Sequence, residues 1–482
     1  MMFDIDYLFY LAQILEVVID KFKDDKIDIC EKICNKLMSL EIINMNQFGE
    51  YISNTLIKTR GQYFANHFTH YFTDIIINGF DSNNMINIYR CLGNSSTNAV
   101  VLKGTYKVTS QYVMEVIIKH TTSQELDNLY YEYLVGKCVN ELNRDMPFFC
   151  KTYGIYKVED KRILTTLPKY CSKTPDQIVY LNTITNVTAS DLKTQAKKSC
   201  QTYAYGVVIE TVDVHRSLGM FYTANIGYVD SARSIKFRLD KIYNFVEIYN
   251  SLLLVYTTLD KFKDYFTHYD LHPENVLLYK IPENKYVNIT IDDDLTFRTK
   301  FLPIIIDYGR AYIKCDNFES SSFMSEVVQD DECRPPSTKG YPFLGMYSKS
   351  SKKFNDTDAT DYFINIAKRN ISHDLRLLYS MSKRYLELKE LIKPMTELSG
   401  FLKKLDALHD IQYINIYGTP EITSRGSTGV KRIINVSDAY ECLRDLISTE
   451  GKNIMDKAYE MDNCFGTLKL YKKTPKKYQW LF

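Results

Sequence analysis

Apolar residues recur at three- and four-residue steps through the first 82 positions: Ile27, Cys30, Ile33, Cys34 and Leu37, then Phe48, Ile52 and Leu56, then Phe64, Phe68 and Phe72. That spacing gives several short amphipathic helices one apolar stripe each. The period changes at Met85. Residues 86–92, 98–107 and 112–119 alternate or run apolar, with β-branched side chains and short turns between them, and predict three consecutive strands. A helix is expected over 123–142, strand pieces at 148–157 and 162–166, and another strand at 207–212. Residues 168–205 are polar, rich in Thr, Lys and Gln and aperiodic, which reads as an insertion. A long helix follows over 238–266 on the stripe Phe245, Ile248, Leu252, Val255, Leu259 and Phe262, with further helices near 372–408 and 437–460.

At 482 residues the chain is large enough for two or three domains, or for one two-lobed enzyme with additions. Sixty Lys and Arg against 59 Asp and Glu give a net charge of +1, which offers no general affinity for polyanions and argues against a nucleic-acid partner. Eleven cysteines, an odd number with no C-x-x-C pair, suggest neither a disulfide framework nor a zinc ribbon. Cys30 and Cys34 read as small buried side chains, and His67 and His70, an i,i+3 pair, find no carboxylate or cysteine nearby to complete a metal site. The N-terminus lacks the basic start and cleavage site of a signal peptide, and no apolar run reaches membrane-span length, so a soluble intracellular protein without a membrane span is expected.

The chemistry concentrates after the long helix. His268-Tyr-Asp270-Leu-His272-Pro-Glu-Asn275 is followed, thirty-two residues beyond Asn275, by an apolar strand ending in Asp307-Tyr308-Gly309. An Asn amide oxygen and an Asp carboxylate are hard ligands of the kind Mg²⁺ takes, one or two per ion with phosphates supplying the rest. A neighbouring Asp that is not a ligand can accept the proton of an attacking hydroxyl. These are the parts of a phosphoryl-transfer site.

The segment 268–275 resembles the protein-kinase catalytic loop H-R-D-L-x-x-x-N, and Asp307-Tyr308-Gly309 resembles D-F-G. Three upstream parts are similar to the same family in the same order. Gly93-Asn-Ser95-Ser-Thr-Asn98-Ala-Val100 follows G-x-G-x-x-G-x-V with Ser95 and Asn98 in place of two glycines. Val116-Ile-Ile-Lys119 follows V-A-I-K, and the next helix offers Glu132 to pair with Lys119, Glu125 being the substitute. The resemblance covers about 86–380 and implies an α+β, bilobal protein-kinase fold: a helical N-terminal extension over 1–83, a small antiparallel-sheet lobe over 84–212, and a mainly helical lobe over 213–482 with C-terminal helical elaboration. It implies ATP between the lobes, bound by Gly93, Ser95, Asn98, Val100 and Lys119 and by the hinge at Glu210 and Val212. Mg²⁺ (or Mn²⁺) would be held by Asn275 and Asp307, with Asp270 as base, assisted by Lys119, Glu132 and His272.

The departures qualify what is transferred. Tyr269 replaces the Arg that in many kinases receives a phosphate on the activation segment, here about 310–370 with Ser320, Ser321, Ser322 and Ser325 as acceptors; a phenol cannot form that ion pair. His272 replaces the Lys usual two residues after the base. H-x-D-x-H-P is also how the loop reads in aminoglycoside- and choline-kinase-like enzymes, so small-molecule transfer is an alternative, although those relatives lack the Gly of D-F-G. No A-P-E stands between Gly309 and about 370, Gly418-Thr-Pro-Glu421 falling too late, and together with the depleted Gly loop this admits a pseudokinase scaffold. Asp374, in Asn370-Ile-Ser-His-Asp374-Leu, resembles the helix residue that braces the catalytic loop. The stretch 285–300 enlarges the connection before Asp307, its acidic run 292–294 reading as a solvated hairpin tip. A Ser/Thr protein kinase with a protein substrate is favoured. The glycine-poor, Tyr/Asn/Lys-rich composition and the insertions are similar to kinases of large cytoplasmic DNA viruses, which implies host cytoplasm or virion as location.

Overall fold

A computed structural model describes residues 32, 77, 79–93, 99–107, 113–121, 129–143, 145–158, 184–188, 204–210, 214–225, 235–281, 284–316, 318–323, 344–347, 362–381 and 433–472. Apart from Lys32, which is helical, the expected helices before residue 77, with His67 and His70, and the strand piece at 162–166 lie outside these residues. The chain is a mixed α+β protein with antiparallel sheets, divided into two compact units: Ile76–Tyr279 with Leu302–Glu450, and Met1–Ile75 with Lys280–Phe301 and Gly451–Phe482.

The larger unit begins with a six-stranded sheet. Its strands are β1 (Met85–Gly93), β2 (Ala99–Lys107), β3 (Val113–Thr121), β4 (Thr152–Val158), β5 (Ile184–Asn186) and β6 (Ala204–Glu210), in the order β1-β2-β3-β6-β4-β5. The three strands read from the period-2 pattern are there. β5 lies within the stretch read as an insertion and pairs with β4 through Tyr156↔Asn186.

Alternation divides the sheet into two faces. Val100, Leu102, Tyr106, Val116, Ile118, Tyr156 and Val208 form a buried cluster on one, against which Ile77, Phe80 and Met85 pack. Phe80 stacks on Tyr106 at 5.4 Å between ring centroids, and the backbone N–H of Asp81 donates to the Tyr106 hydroxyl at 3.0 Å. Phe80 fits only because position 154 has no side chain: a Cβ there would stand 2.1 Å from its ring.

Helix α1 (Leu129–Leu142) follows β3 and buries Tyr131, Glu132, Val135 and Val139. After β6 come β7 (Val214–Ser217), α2 (Leu218–Asn225) and α3 (Ile235–Phe262). From Phe245 to Asp260 every residue of α3 is buried, as expected of a helix enclosed on all sides. Three of its polar members find partners: Thr257 and Thr258 donate to the carbonyls of Leu253 and Leu254 one turn back, and Asp260 meets Lys263 and the Ser437 hydroxyl. Ser437 belongs to α4 (Val436–Leu446), which packs on α3.

Beyond α3 the chain builds β8 (Phe266–Thr267), β9 (Val276–Lys280), β12 (Phe301–Ile305), β13 (Tyr312–Cys315) and β14 (Phe318–Glu319), with β15 (Leu344–Tyr347) pairing β16 (Tyr362–Asn365) further on. Residues 375–381 are helical, the described part of the helix expected from 372. Cys138 of α1 and Cys315 of β13 form a disulfide, Cα–Cα 6.1 Å. This corrects the reading of the cysteine count: the partners are 177 residues apart, and only the packing of α1 on β13 brings them together.

In the smaller unit β10 (Lys285–Ile291) and β11 (Leu295–Thr299) form a hairpin, and β17 (Asn463–Leu470) runs parallel to β10 on its other side. The exposed turn Asp292-Asp293-Asp294 has Asp292 and Asp293 at φ 51° and 62°, a left-handed conformation Asp tolerates, and is a solvated tip as expected. Among the described residues no helix is long and apolar enough to cross a membrane.

Candidate active site

Lys119 leaves β3 on the face away from the Tyr106 cluster, and its Nζ lies 2.5 Å from Oε1 of Glu132 on α1 and 3.2 Å from Oδ1 of Asp307. Burial opposes charge on Lys119, but the Asp307 and Glu132 carboxylates outweigh it and hold the ammonium above its ordinary range. The same pairing holds Asp307 below its ordinary value against burial. Asp307 has φ 70°. Tyr308 anchors the turn, its buried hydroxyl donating to the carbonyls of Ile305 at 2.6 Å and Cys150 at 3.0 Å.

The loop 268–275 is fixed from below. Asp374 accepts from the backbone N–H groups of His268 at 2.8 Å and Tyr269 at 3.0 Å, the bracing role that the resemblance assigns it. His268 Nε2 lies 2.9 Å from the Ile306 carbonyl, which can only accept, so Nε2 carries the proton. Asn275 donates from Nδ2 to the Asp270 carbonyl at 2.9 Å, and its own carbonyl accepts from Ile306 N–H at 3.1 Å. The loop is thereby tied to the residue preceding Asp307. Tyr269 is buried at φ 62°, its hydroxyl donating to the Lys368 carbonyl at 2.5 Å.

Two guanidinium groups converge on Asp270: Arg310 Nη1 is 3.0 Å from Oδ2 and Arg376 Nη1 is 3.4 Å from Oδ1. Burial would raise this carboxyl, but the Arg310 and Arg376 guanidinium groups, with His272 beside them, outweigh it and pull it down to about 2. His272 caps the turn Pro273–Asn275, its Nδ1 accepting from Glu274 N–H at 3.2 Å.

Not every expected site residue lies where the pattern put it. In the β2–β3 register Val101, not Val100, pairs with Lys119 and shares its face; Val100 belongs to the cluster on the opposite face. The expectation for Val100 is corrected by one position, because a one-residue step reverses the face of a strand. Glu210 pairs with Val116, also opposite to Lys119, and its carboxylate accepts from Lys151 N–H at 3.3 Å, so only its backbone is left for a ligand on the Lys119 side. Gly93 ends β1 opposite Val101. Ser95, Asn98, Glu125, Val212 and Ser325 lie outside the described residues. Ser320, expected as a phosphate acceptor, is fully buried and takes the Tyr131 hydroxyl at 2.7 Å as well as the Ile313 backbone, so it is not an acceptor on the folded protein.

Arg310, Arg376 and Tyr131 were missed by sequence reasoning. Arg310 stands one residue past Asp307-Tyr308-Gly309, where a local signal existed; Arg376 and Tyr131 are placed by packing alone. In comparisons with known proteins the sequence matches no family model and no curated protein.

Proposed function

We propose that the chain is an ATP- and Mg²⁺-dependent protein kinase of bilobal protein-kinase fold that phosphorylates Ser and Thr hydroxyls of proteins. The observation that carries this reading is the convergence of Lys119, Glu132 and Asp307, 13 and 188 residues apart along the chain, beside a loop in which Asn275 closes on Asp270. A structural ion-pair cluster has no need of the second half of that arrangement.

Among the described residues no group of three His, Cys, Asp or Glu side chains could hold a metal by itself. Mg²⁺ in phosphoryl transfer asks for less: one or two oxygen ligands, with the nucleotide phosphates supplying others. Asp307 and the amide oxygen of Asn275, whose nitrogen is already committed to Asp270, fit that donor set. Bound there, Mg²⁺ would neutralise charge on the β- and γ-phosphates. Lys119, oriented by Glu132, clamps the nucleotide phosphates. Asp270 accepts the proton of the acceptor hydroxyl as its oxygen attacks the γ-phosphorus and ADP departs.

The test is phosphate transfer from radiolabelled ATP to basic and acidic protein acceptors by the purified chain. Asp270→Asn is expected to keep nucleotide binding and lose about 10²–10⁴-fold in turnover, the usual worth of a positioned base. Equal activity in wild type and variant, or no transfer by the wild type to any acceptor, defeats the reading.

A further inference from the structure

Arg310 and Arg376 both approach one carboxylate, that of Asp270. The two arginines are not equivalent. Arg376 is the more buried, 12% exposed against 21%, and stands in the field of a second carboxylate, Asp374, two residues before it. Arg310 sits on the turn in which Ala311 N–H returns to the Tyr308 carbonyl at 3.0 Å, a turn anchored by the buried Tyr308 hydroxyl. That turn carries its guanidinium from the Asp307 side of the site to the base.

We infer that Arg310 is the cation that receives the transferring phosphoryl group, in place of a basic residue within the catalytic loop; this rests on the kinase reading above. The loop has no such residue of its own to offer. Position 272 is a histidine that caps the following turn, and position 274 is a glutamate paired with the Ser217 hydroxyl. An acceptor oxygen bonded to Asp270 lies about 3 Å from its carboxylate. The phosphorus it attacks is therefore within the span of a guanidinium 3.0 Å from that same carboxylate. In the step, the acceptor O–H proton passes to Asp270 and the acceptor oxygen forms a bond to the γ-phosphorus. The bond from that phosphorus to the bridging oxygen breaks, its electron pair leaving with ADP. Negative charge spread over the three equatorial oxygens is met by Arg310, which swings from Asp270 onto them. Arg376 stays behind, so the carboxylate is never left buried and unpaired.

The experiment compares steady-state kinetics of wild type, Arg310→Gln and Arg310→Lys with Mg·ATP and the best protein acceptor of the panel, with and without added methylguanidinium. Arg310→Gln is expected to lower kcat by about 10²–10³-fold, as loss of a charge-stabilising donor does, with KM for ATP within about threefold of wild type. Arg310→Lys, which keeps the charge but not the fork, falls between them. Methylguanidinium should restore at least about tenfold of the kcat of Arg310→Gln and do nothing for wild type, a readout that a merely structural arginine would not produce. A kcat within threefold of wild type in Arg310→Gln overturns the inference and leaves the kinase reading standing. So does a loss that methylguanidinium cannot rescue and that Arg310→Lys shares in full. Absence of transfer by the wild type itself defeats the kinase reading first and the clamp with it.

Discussion

Asp307 and Tyr269 hold left-handed backbone, which costs of order 1–3 kcal/mol at a residue other than glycine and persists only where the surroundings over-determine it. Tyr269 is pinned through its N–H by Asp374 and through its hydroxyl by Lys368, and Asp307 by Lys119. Both strained residues belong to the candidate site, each beside or within the pair of acidic residues assigned to the chemistry. Between pH 7 and pH 5 a different residue should contribute to the sensitivity to acid. His120 follows Lys119 on β3, faces the other side of the sheet and is fully buried, and burial pushes its pKa down to about 4. Its Nδ1 pairs with the Thr121 carbonyl at 3.0 Å, while Nε2 meets no hydrogen-bond partner among the described residues. The unfolded chain takes up this proton near pH 6.5 and the folded one only near 4. Stability from this group is therefore complete above pH 6.5 and falls as the pH drops toward 4. Between pH 7 and pH 5 the loss should be about 2 kcal/mol. Denaturant titrations at the two pH values measure it, and His120→Leu should remove that part of the slope; an unchanged slope in the variant would assign the acid sensitivity elsewhere.

At the scale of elements, α1 is the joint of the site. It presents Glu132 to Lys119, and one residue earlier sends the Tyr131 hydroxyl to the Ala311 carbonyl at 2.5 Å, which ties the helix to the segment after Asp307. The sheet's other face is closed by the segment at 77–85, and that closure can be measured. Gly154→Ala would drive a methyl into the Phe80 ring and should cost about 1–3 kcal/mol, the usual price of overpacking. In a Phe80→Ala background the same change should be nearly neutral. A double-mutant cycle reads the coupling, and additive effects would show that Phe80 does not depend on the bare backbone at 154.

The molecule as a whole is held by contacts distant in sequence. The Cys138–Cys315 bond closes a loop of 177 residues, and a native disulfide is worth about 2–5 kcal/mol. Cys138→Ala/Cys315→Ala should melt below wild type under oxidising conditions and level with it in reductant; identical melting in both would mean the bond adds nothing to stability. The sequence by itself determined the period of the strands β1, β2 and β3, the long helix α3, the acidic hairpin tip and the order of Lys119, Glu132, Asp270, Asn275 and Asp307. Each of these is written in local spacing, because side-chain period and loop chemistry act over a few residues. Tertiary structure alone decided the rest. The face of β2 turned to Lys119 depends on strand register, which moved the expected valine from 100 to 101. Strand β5 forms within a stretch with no apolar period because β4 offers it an edge. Cys138 meets Cys315, Ser320 goes inside, β17 joins β10 across the chain, and Arg310 and Arg376 arrive at Asp270 from 40 and 106 residues away. Such pairings are chosen by packing and charge summed over the whole fold, and no local window of sequence contains that sum.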